Sequence, residues 1–134
     1  MELDGLIEPG ICLETTYQVE EKHGAMNVGS GSLRVLATPA MIGFMEVNAN
    51  RLIAQHLPSG AASVGVRVNV SHLAATPVGC RVHVRSEVLR VDGKRVFLSV
   101  KAWDDTELIG EGQHERFLVD EARFLQRVQA KAGK

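Results

Sequence analysis

Four segments of alternating polar and apolar residues, separated only by short turns, constrain the fold of this chain most strongly. A period of two is typical of strands that bury one face. Asp92-Gly93 lies between the second and third segments and favours a type I′ hairpin, because both residues tolerate positive φ. Consecutive strands joined by tight turns pair as antiparallel neighbours. The four predicted strands cover residues 62–74, 80–91, 95–104 and 107–119.

One long helix is predicted before these strands. Thr38 suits the N-cap position, and Pro39 suits the first helical turn, where its missing N–H would be unpaired anyway. The sequence Pro-Ser-Gly at 58–60 ends the helical period. The spacing predicts a helix over 38–57, about 30 Å long. Its apolar stripe consists of Ile42, Met45, Ala49, Leu52 and Ile53.

The remaining predicted elements are a strand over 11–21 and a short C-terminal helix over 120–131. A glycine-rich loop over 22–33 is either a mobile lid or a plain connection. The order predicts one α+β domain over 1–134, in which a long helix covers one face of an antiparallel sheet of about five strands. Valine-rich sheet surface left over would be hidden in a dimer.

Composition excludes several classes of partner. The 134 residues carry a formal net charge of -1 with both signs interleaved, so no basic field is available for nucleic acid. No apolar run reaches the roughly 20 residues of a membrane span, and the N-terminal sequence does not look like a secretory leader. Cys12 and Cys80 are predicted to be buried free thiols, which favours a cytoplasmic location. No spacing among the histidines and cysteines predicts a metal site.

Two polar residues occupy positions that the periodicity marks as interior. Glu46 lies on the helical stripe, and His72 shares its parity with the valines from Val64 to Val70. A buried unpaired charge costs several kcal/mol, so we expect Glu46 and His72 to face each other or to share a polar pocket. Such a carboxylate would orient an imidazole acting as a general base. The alternative is a buried pair that only satisfies itself.

Thr38 has two interpretations as well. It is either only the N-cap of the helix or a hydroxyl placed at the positive end of the helix dipole. In the second case, the N–H groups of Ala40 and Met41 are expected to be unpaired and able to hold an oxyanion.

Three glycines interrupt predicted strands and indicate either a bulge or a close approach of another backbone or a ligand. Arg116 has the parity of two of these glycines, so it either faces a ligand or reaches solvent at a strand end. The three glycines are Gly65, Gly110 and Gly112.

The sequence resembles the fluoroacetyl-CoA thioesterase family of hotdog-fold proteins over roughly residues 10–120. Four segments carry the resemblance, and the most specific parts of them are SHLAATPVG and IGEGQHER. The segments are LATPAMIGFME at 36–46, SVGVRVNVSHLAATPVG at 63–79, VDGKRVFLSVKAWD at 91–104 and IGEGQHERFLVD at 109–120.

The resemblance implies a hotdog fold that works as a homodimer, with acyl-CoA bound near the subunit interface. It implies catalytic roles for Thr38, Glu46 and His72. It also implies that Gly65 contributes backbone to the active site and that Arg116 lies on the substrate side. Residues 22–33 differ from the family's lid, because they contain no aromatic side chain.

These observations together predict hydrolysis of a short or small acyl-CoA thioester. His72 would take a proton from water or from Thr38, while Glu46 would orient His72 or attack the thioester carbon itself. No metal or redox cofactor is expected, because a thioester is already activated. The alternative function is a hotdog module that binds acyl-CoA or another small ligand without turnover.

Overall fold

A single antiparallel sheet of five strands, in the order β1-β3-β4-β5-β2, wraps around one long helix. The structure is a computed structural model, and it describes residues 2–133. The strands are β1 (Cys12–Gln18), β2 (Ala61–His72), β3 (Arg81–Asp92), β4 (Arg95–Trp103) and β5 (Leu108–Asp120). The helices are α1 (Ala25–Val28), α2 (Thr38–Ala54) and α3 (Glu121–Lys131).

All predicted strands and helices are present, and their ends differ from the prediction by at most three residues. The segment over 22–33 is more ordered than a plain loop. It contains the end of a 3₁₀ turn at Glu21–His23 and the whole of α1. Backbone hydrogen bonds tie this segment to the chain just before α2, from Ala25 to the Val35 carbonyl and from Ala37 to the His23 carbonyl.

The core lies between α2 and the inner face of the sheet. The buried stripe of α2 is rotated slightly from the predicted one, so that Met41 and Asn48 are buried while Ile42 and Glu46 lie at its margin. This rotation leaves the Glu46 side chain 45% exposed. The buried side chains of α2 are Met41, Phe44, Met45, Asn48, Ala49, Leu52 and Ile53.

Strand β2 forms one edge of the sheet and contains a β-bulge between Gly65 and Arg67. Directly paired residues of antiparallel strands place their side chains on the same face. His72 pairs with Gly110, whereas Val64 pairs with Phe117, which alternates with the inward Arg116. The prediction that His72 shares a face with Val64 is therefore wrong, because the extra residue of the bulge reverses the alternation.

Two other expectations can be compared with the structure. Cys12 and Cys80 are free thiols, but both are exposed, so their predicted burial is wrong. Cys12 is the first residue of the edge strand β1, and Cys80 lies in the turn directly before β3. No helix within residues 2–133 has the length and apolar character needed to cross a membrane.

Candidate active site

Thr38 and His72 form the centre of the candidate site. Thr38 Oγ1 lies 2.7 Å from His72 Nδ1, where the first residue of α2 meets the last residue of β2. The Leu36 N–H donates to the Thr76 carbonyl at 2.8 Å, which joins the chain entering α2 to the chain leaving β2. The Thr76 hydroxyl in turn donates to Asp104 at 2.9 Å. These two hydrogen bonds, one of the backbone and one of the buried Thr76 side chain, hold the chain on both sides of the contact between Thr38 and His72.

The structure corrects the predicted cap of α2. The N-cap residue is Ala37, which has extended backbone and offers no capping side chain, and Thr38 is the first helical residue. Its hydroxyl is therefore free to contact His72. The Met41 N–H donates to the Ala37 carbonyl at 3.0 Å, so it is not available to an oxyanion as predicted. In the described part of the chain, the Ala40 N–H donates to no backbone carbonyl.

The imidazole of His72 lies in a partly buried environment. Burial lowers the pKa of His72, and the neighbouring backbone of Ala74 offsets this in part. The Nε2 atom is buried and has no hydrogen-bond partner within residues 2–133. At neutral pH the ring is therefore uncharged, which is the state in which an imidazole accepts a proton.

A cavity of about 570 Å³ opens beside this pair. Residues 30–33, just before α2, form one wall, and residues 72–75, just after β2, form another. Small side chains dominate both walls, with Leu33 and Leu73 as the larger apolar groups. The predicted lid segment thus lines the cavity that contains Thr38 and His72.

Glu46, Gly65 and Arg116 form a second group of site residues. Glu46 Oε2 lies 3.9 Å from Arg116 Nη1, and a Cβ atom on Gly65 would come within 2.8 Å of the same carboxylate oxygen. Burial lowers the pKa of the Arg116 guanidinium, and the Glu46 carboxylate raises it in part. Arg116 stays protonated in proteins, so this group presents a carboxylate beside a fixed cation.

The two groups do not meet within one chain. Thr38 and His72 line one cavity, while Glu46 and Arg116 line another, of about 490 Å³, on the side of α2. Eight residues of helix separate Thr38 from Glu46, which corresponds to roughly 12 Å along the axis. The expected contact between Glu46 and His72 is therefore not formed within one chain. Helical period placed Glu46 on the sheet side of α2, and strand alternation placed His72 on the inner face of the sheet, but neither pattern showed that they lie at different heights along α2.

The glycine positions resolve into two types. Gly65 lies at the bulge, as one interpretation expected, and its missing side chain makes room for the Glu46 carboxylate. Gly110 and Gly112 permit other parts of the chain to lie close to β5. A Cβ atom at Gly110 would lie 2.8 Å from Met41 Cε, and one at Gly112 would collide with the Asn69 carbonyl. Backbone of β2 and the start of α2 can thus lie close to β5.

Sequence reasoning missed the residues that hold Arg116. Its guanidinium donates to Ser63 Oγ at 2.8 Å, to the Ser63 carbonyl at 3.0 Å and to Asn50 Oδ1 at 3.3 Å. His114, only 1% exposed, lies on its other side. The parity that His114 shares with Arg116 was a usable signal, because two polar side chains on a buried face of one strand indicate a polar network.

Residues 2–133 contain no group of three or more His, Cys, Asp or Glu side chains arranged to hold a metal ion. The chemistry that this geometry offers is that of a hydroxyl, a neutral imidazole, a carboxylate and a guanidinium.

The sequence matches one family over most of its length. A model of the family described as "Fluoroacetyl-CoA-specific thioesterase" matches residues 19–122. The chain belongs to the fluoroacetyl-CoA-specific thioesterase family. Among curated proteins, the fluoroacetyl-CoA thioesterase of Streptantibioticus cattleyicolor is 39% identical over 97 residues, which cover 72% of this chain and 70% of that protein.

Solved structures agree with membership of the fluoroacetyl-CoA-specific thioesterase family. The fluoroacetyl-CoA thioesterase FlK superimposes with a TM-score of 0.88 at 30% identity, covering 93% of this chain and 97% of that one. A hot-dog-like protein from Thermanaerovibrio acidaminovorans also has a TM-score of 0.88 at 30% identity, covering 98% and 97%. These matches confirm the predicted family, the hotdog fold and the class of enzyme, a thioester hydrolase acting on a small acyl-CoA.

Proposed function

We propose that this chain hydrolyses small acyl-CoA thioesters as a homodimer, with Thr38, His72 and Glu46 as catalytic residues and with Gly65 and Arg116 lining the substrate site. The observation that carries the proposal is the 2.7 Å contact between Thr38 Oγ1 and His72 Nδ1 beside a cavity. A hydroxyl held against a neutral imidazole is a typical arrangement for proton transfer.

The chemical step uses His72 as the general base. Its imidazole takes a proton from a water molecule or from the Thr38 hydroxyl, and the oxygen so activated attacks the thioester carbonyl carbon. The C–S bond then breaks, and the CoA sulfur leaves with that proton as a thiol. On the threonine route, an acyl-enzyme forms first and a water molecule hydrolyses it. The Ala40 N–H, which donates to no backbone carbonyl within residues 2–133, would stabilise the oxyanion at the start of α2.

Glu46 acts as the carboxylate that orients His72 rather than as the nucleophile. Its Oε2 atom lies 3.9 Å from the Arg116 guanidinium. A cation this close withdraws electron density from the carboxylate and makes it a weaker nucleophile.

The catalytic site combines residues of two subunits. Because Glu46 and His72 line different cavities in one chain, the Thr38–His72 pair would be completed by Glu46 of the partner subunit. The edge strand β2 offers the contact surface, since Val66 and Val68 on it are 47% and 39% exposed. Unpaired edge strands with exposed apolar residues are sites of pairing with a second chain.

The acyl group we propose is small, as in the fluoroacetyl-CoA named for the Streptantibioticus cattleyicolor relative. A variant of FlK solved with fluoroacetate and CoA has a TM-score of 0.81 to this chain at 31% identity, covering 88% of this chain and 99% of that one. The cavity wall at residues 30–33 carries no aromatic ring, so the substrates we propose include small acyl groups other than fluoroacetyl. A cytoplasmic location accords with two exposed free thiols.

Release of CoA thiol from a panel of acyl-CoA esters tests the proposal. Thr38→Ala, Glu46→Ala and His72→Ala are each expected to lower kcat by about 10²-fold or more while the dimer stays intact. Saturable binding of acyl-CoA by the wild type without thiol release would favour a non-catalytic binding module instead.

A mixed dimer tests the shared site. If each site combines two subunits, a dimer of one His72→Ala chain and one Glu46→Ala chain retains one complete site. Co-expression of the two inactive chains should then restore about a quarter of the wild-type rate, because half of the dimers are mixed and each has one of two sites. No recovery in a purified mixed dimer contradicts the shared site.

A further inference from the structure

His114 is a buried histidine whose two ring nitrogens both have partners. Nδ1 lies 2.8 Å from the Arg67 carbonyl, at the bulge of β2, and Nε2 lies 3.2 Å from Arg116 Nη1. A carbonyl can only accept a hydrogen bond, and a guanidinium can only donate. The ring must therefore carry its proton on Nδ1 and its lone pair on Nε2, which fixes one neutral tautomer.

The hydrogen bonds of Arg116 divide between anchoring and orienting. Its Nε and Nη2 atoms donate to Ser63 and Asn50, which fix the guanidinium to β2 and α2. The remaining nitrogen, Nη1, faces both His114 Nε2 and Glu46 Oε2. Because the guanidinium is planar and rigid, the His114 lone pair adds a further anchor to it, at the Nη1 end that faces the carboxylate.

We propose that His114 is a positioning residue, which holds Arg116 Nη1 beside Glu46 by accepting a hydrogen bond from it. The inference rests on the proposed catalytic role of Glu46. The chain of contacts runs from the Arg67 carbonyl through the imidazole to the guanidinium and the carboxylate. It makes the geometry of Glu46 depend on the bulge in β2.

A neutral ring at this position is required by its surroundings. A protonated His114 would point a second N–H at the guanidinium and lose the acceptor that Arg116 uses. Burial and the charge of Arg116 lower the pKa of His114, against the Arg67 carbonyl and the carboxylates of Glu46 and Glu115, which raise it. The neutral tautomer therefore persists at physiological pH.

Two substitutions separate the functions of the two nitrogens. His114→Gln places an amide oxygen near the position of Nε2 and keeps the acceptor for Arg116. His114→Asn places its amide near Nδ1, so it keeps the donor to the Arg67 carbonyl and loses that acceptor. We expect His114→Gln to keep kcat within about threefold of wild type and His114→Asn to lower it about 10- to 100-fold, with KM little changed.

His83→Leu is the matched control. His83 also has hydrogen bonds at both nitrogens, to Thr16 at 2.9 Å and to Asp105 at 2.9 Å, but it lies on the outer face of the sheet. The His83→Leu variant should keep the wild-type kcat. Equal kcat values for His114→Gln and His114→Asn, whether both are lowered or both are normal, would show that the acceptor for Arg116 does not affect turnover and would overturn the proposal.

Imidazole ¹⁵N NMR tests the contact without any turnover. The wild type should show His114 with a protonated Nδ1, and the Nε2 resonance should shift in Arg116→Lys. A protonated Nε2 in the wild type, or an Nε2 resonance that ignores Arg116→Lys, overturns the proposal. A wild type that releases no thiol but shows the expected resonances would instead count against the proposed function alone.

Discussion

Thr38 Oγ1 and His72 Nδ1 lie 2.7 Å apart although 34 residues separate them in sequence. The contact forms because α2 begins at Thr38 close to the point where β2 ends at His72. The chain enters α2 directly beside the chain that leaves β2, and the hydrogen bond from Leu36 to Thr76 fixes that register. A hydroxyl on the first turn of a helix therefore reaches an imidazole at the end of a strand.

The first prediction concerns the hydroxyl of Thr38. Thr38→Val keeps the shape of the side chain and removes the hydrogen bond to His72, so we expect kcat to fall about 10²-fold or more. Thr38→Ser keeps the hydroxyl and should stay within about tenfold of wild type. Thiol release and thermal unfolding are measured on both variants. A melting temperature that changes while both variants keep kcat would contradict the catalytic role.

The second prediction is a pH profile. Burial lowers the pKa of His72, with a smaller opposing effect from the backbone of Ala74. A base with a lowered pKa stays neutral to lower pH, so the midpoint of the acid limb of the kcat/KM profile should lie below the ordinary histidine value of about 6.5. The measurement is kcat/KM from about pH 5 to pH 8, beside NMR titration of the His72 ring.

The control for that profile is His114→Gln, since His114 also titrates below its ordinary value. The acid limb should remain in this variant, because the limb reports His72. A limb centred at or above about pH 6.5, or one that disappears in His114→Gln, would contradict the assignment to His72.

Sequence pattern predicted the elements well because each depends on local spacing. The change from a period of two to a period of 3.6 at Thr38 located α2, and Asp92-Gly93 located the hairpin between β3 and β4. The inward position of His72 also followed from alternation, since His72 shares its face with Val68 and Val70, and only the part of β2 before the bulge at Gly65 has the opposite parity.

Contacts that depend on tertiary register could not be predicted in this way. Parity does not reveal a bulge, and helical period gives the face of Glu46 but not its height relative to His72. Thr38 looked like an N-cap because capping is the usual role of threonine before a proline, yet the bond to His72 replaces it. His114 was missed because its partners come from β2 and from its own strand.

The third prediction uses the space left by Gly65. A Cβ atom in Gly65→Ala would lie 2.8 Å from Glu46 Oε2, too close for both to stay in place. The carboxylate is the end of a flexible side chain, so Glu46 should move while the strand stays folded. We expect kcat to fall by about 10- to 100-fold, with a change in unfolding free energy below about 1 kcal/mol.

Gly43→Ala is the matched control for this substitution. A Cβ atom at Gly43 would meet no atom within 4 Å outside the backbone of its own helix, although this residue lines the same cavity as Glu46. It should keep kcat and stabilise the helix slightly, since alanine is the better helix former. Unchanged kcat in Gly65→Ala would show that the observed position of Glu46 is not required for turnover.

The fourth prediction tests the edge of the sheet. Val66 is 47% exposed on β2, where we propose that two subunits meet. Val66→Glu would bring a carboxylate from each subunit into that contact, so the dissociation constant of the dimer should rise at least about tenfold. Thiol release should fall in parallel, because a separated subunit lacks Glu46 of the partner. We would measure sedimentation velocity over a concentration series, and thiol release at the same concentrations.

Val128→Glu is the control for Val66→Glu. Val128 is 48% exposed on α3, so this substitution should change neither the dissociation constant of the dimer nor thiol release. A Val66→Glu chain that remains dimeric at wild-type affinity would show that the subunits meet elsewhere, whereas a fully active monomer would show that one chain forms the whole site.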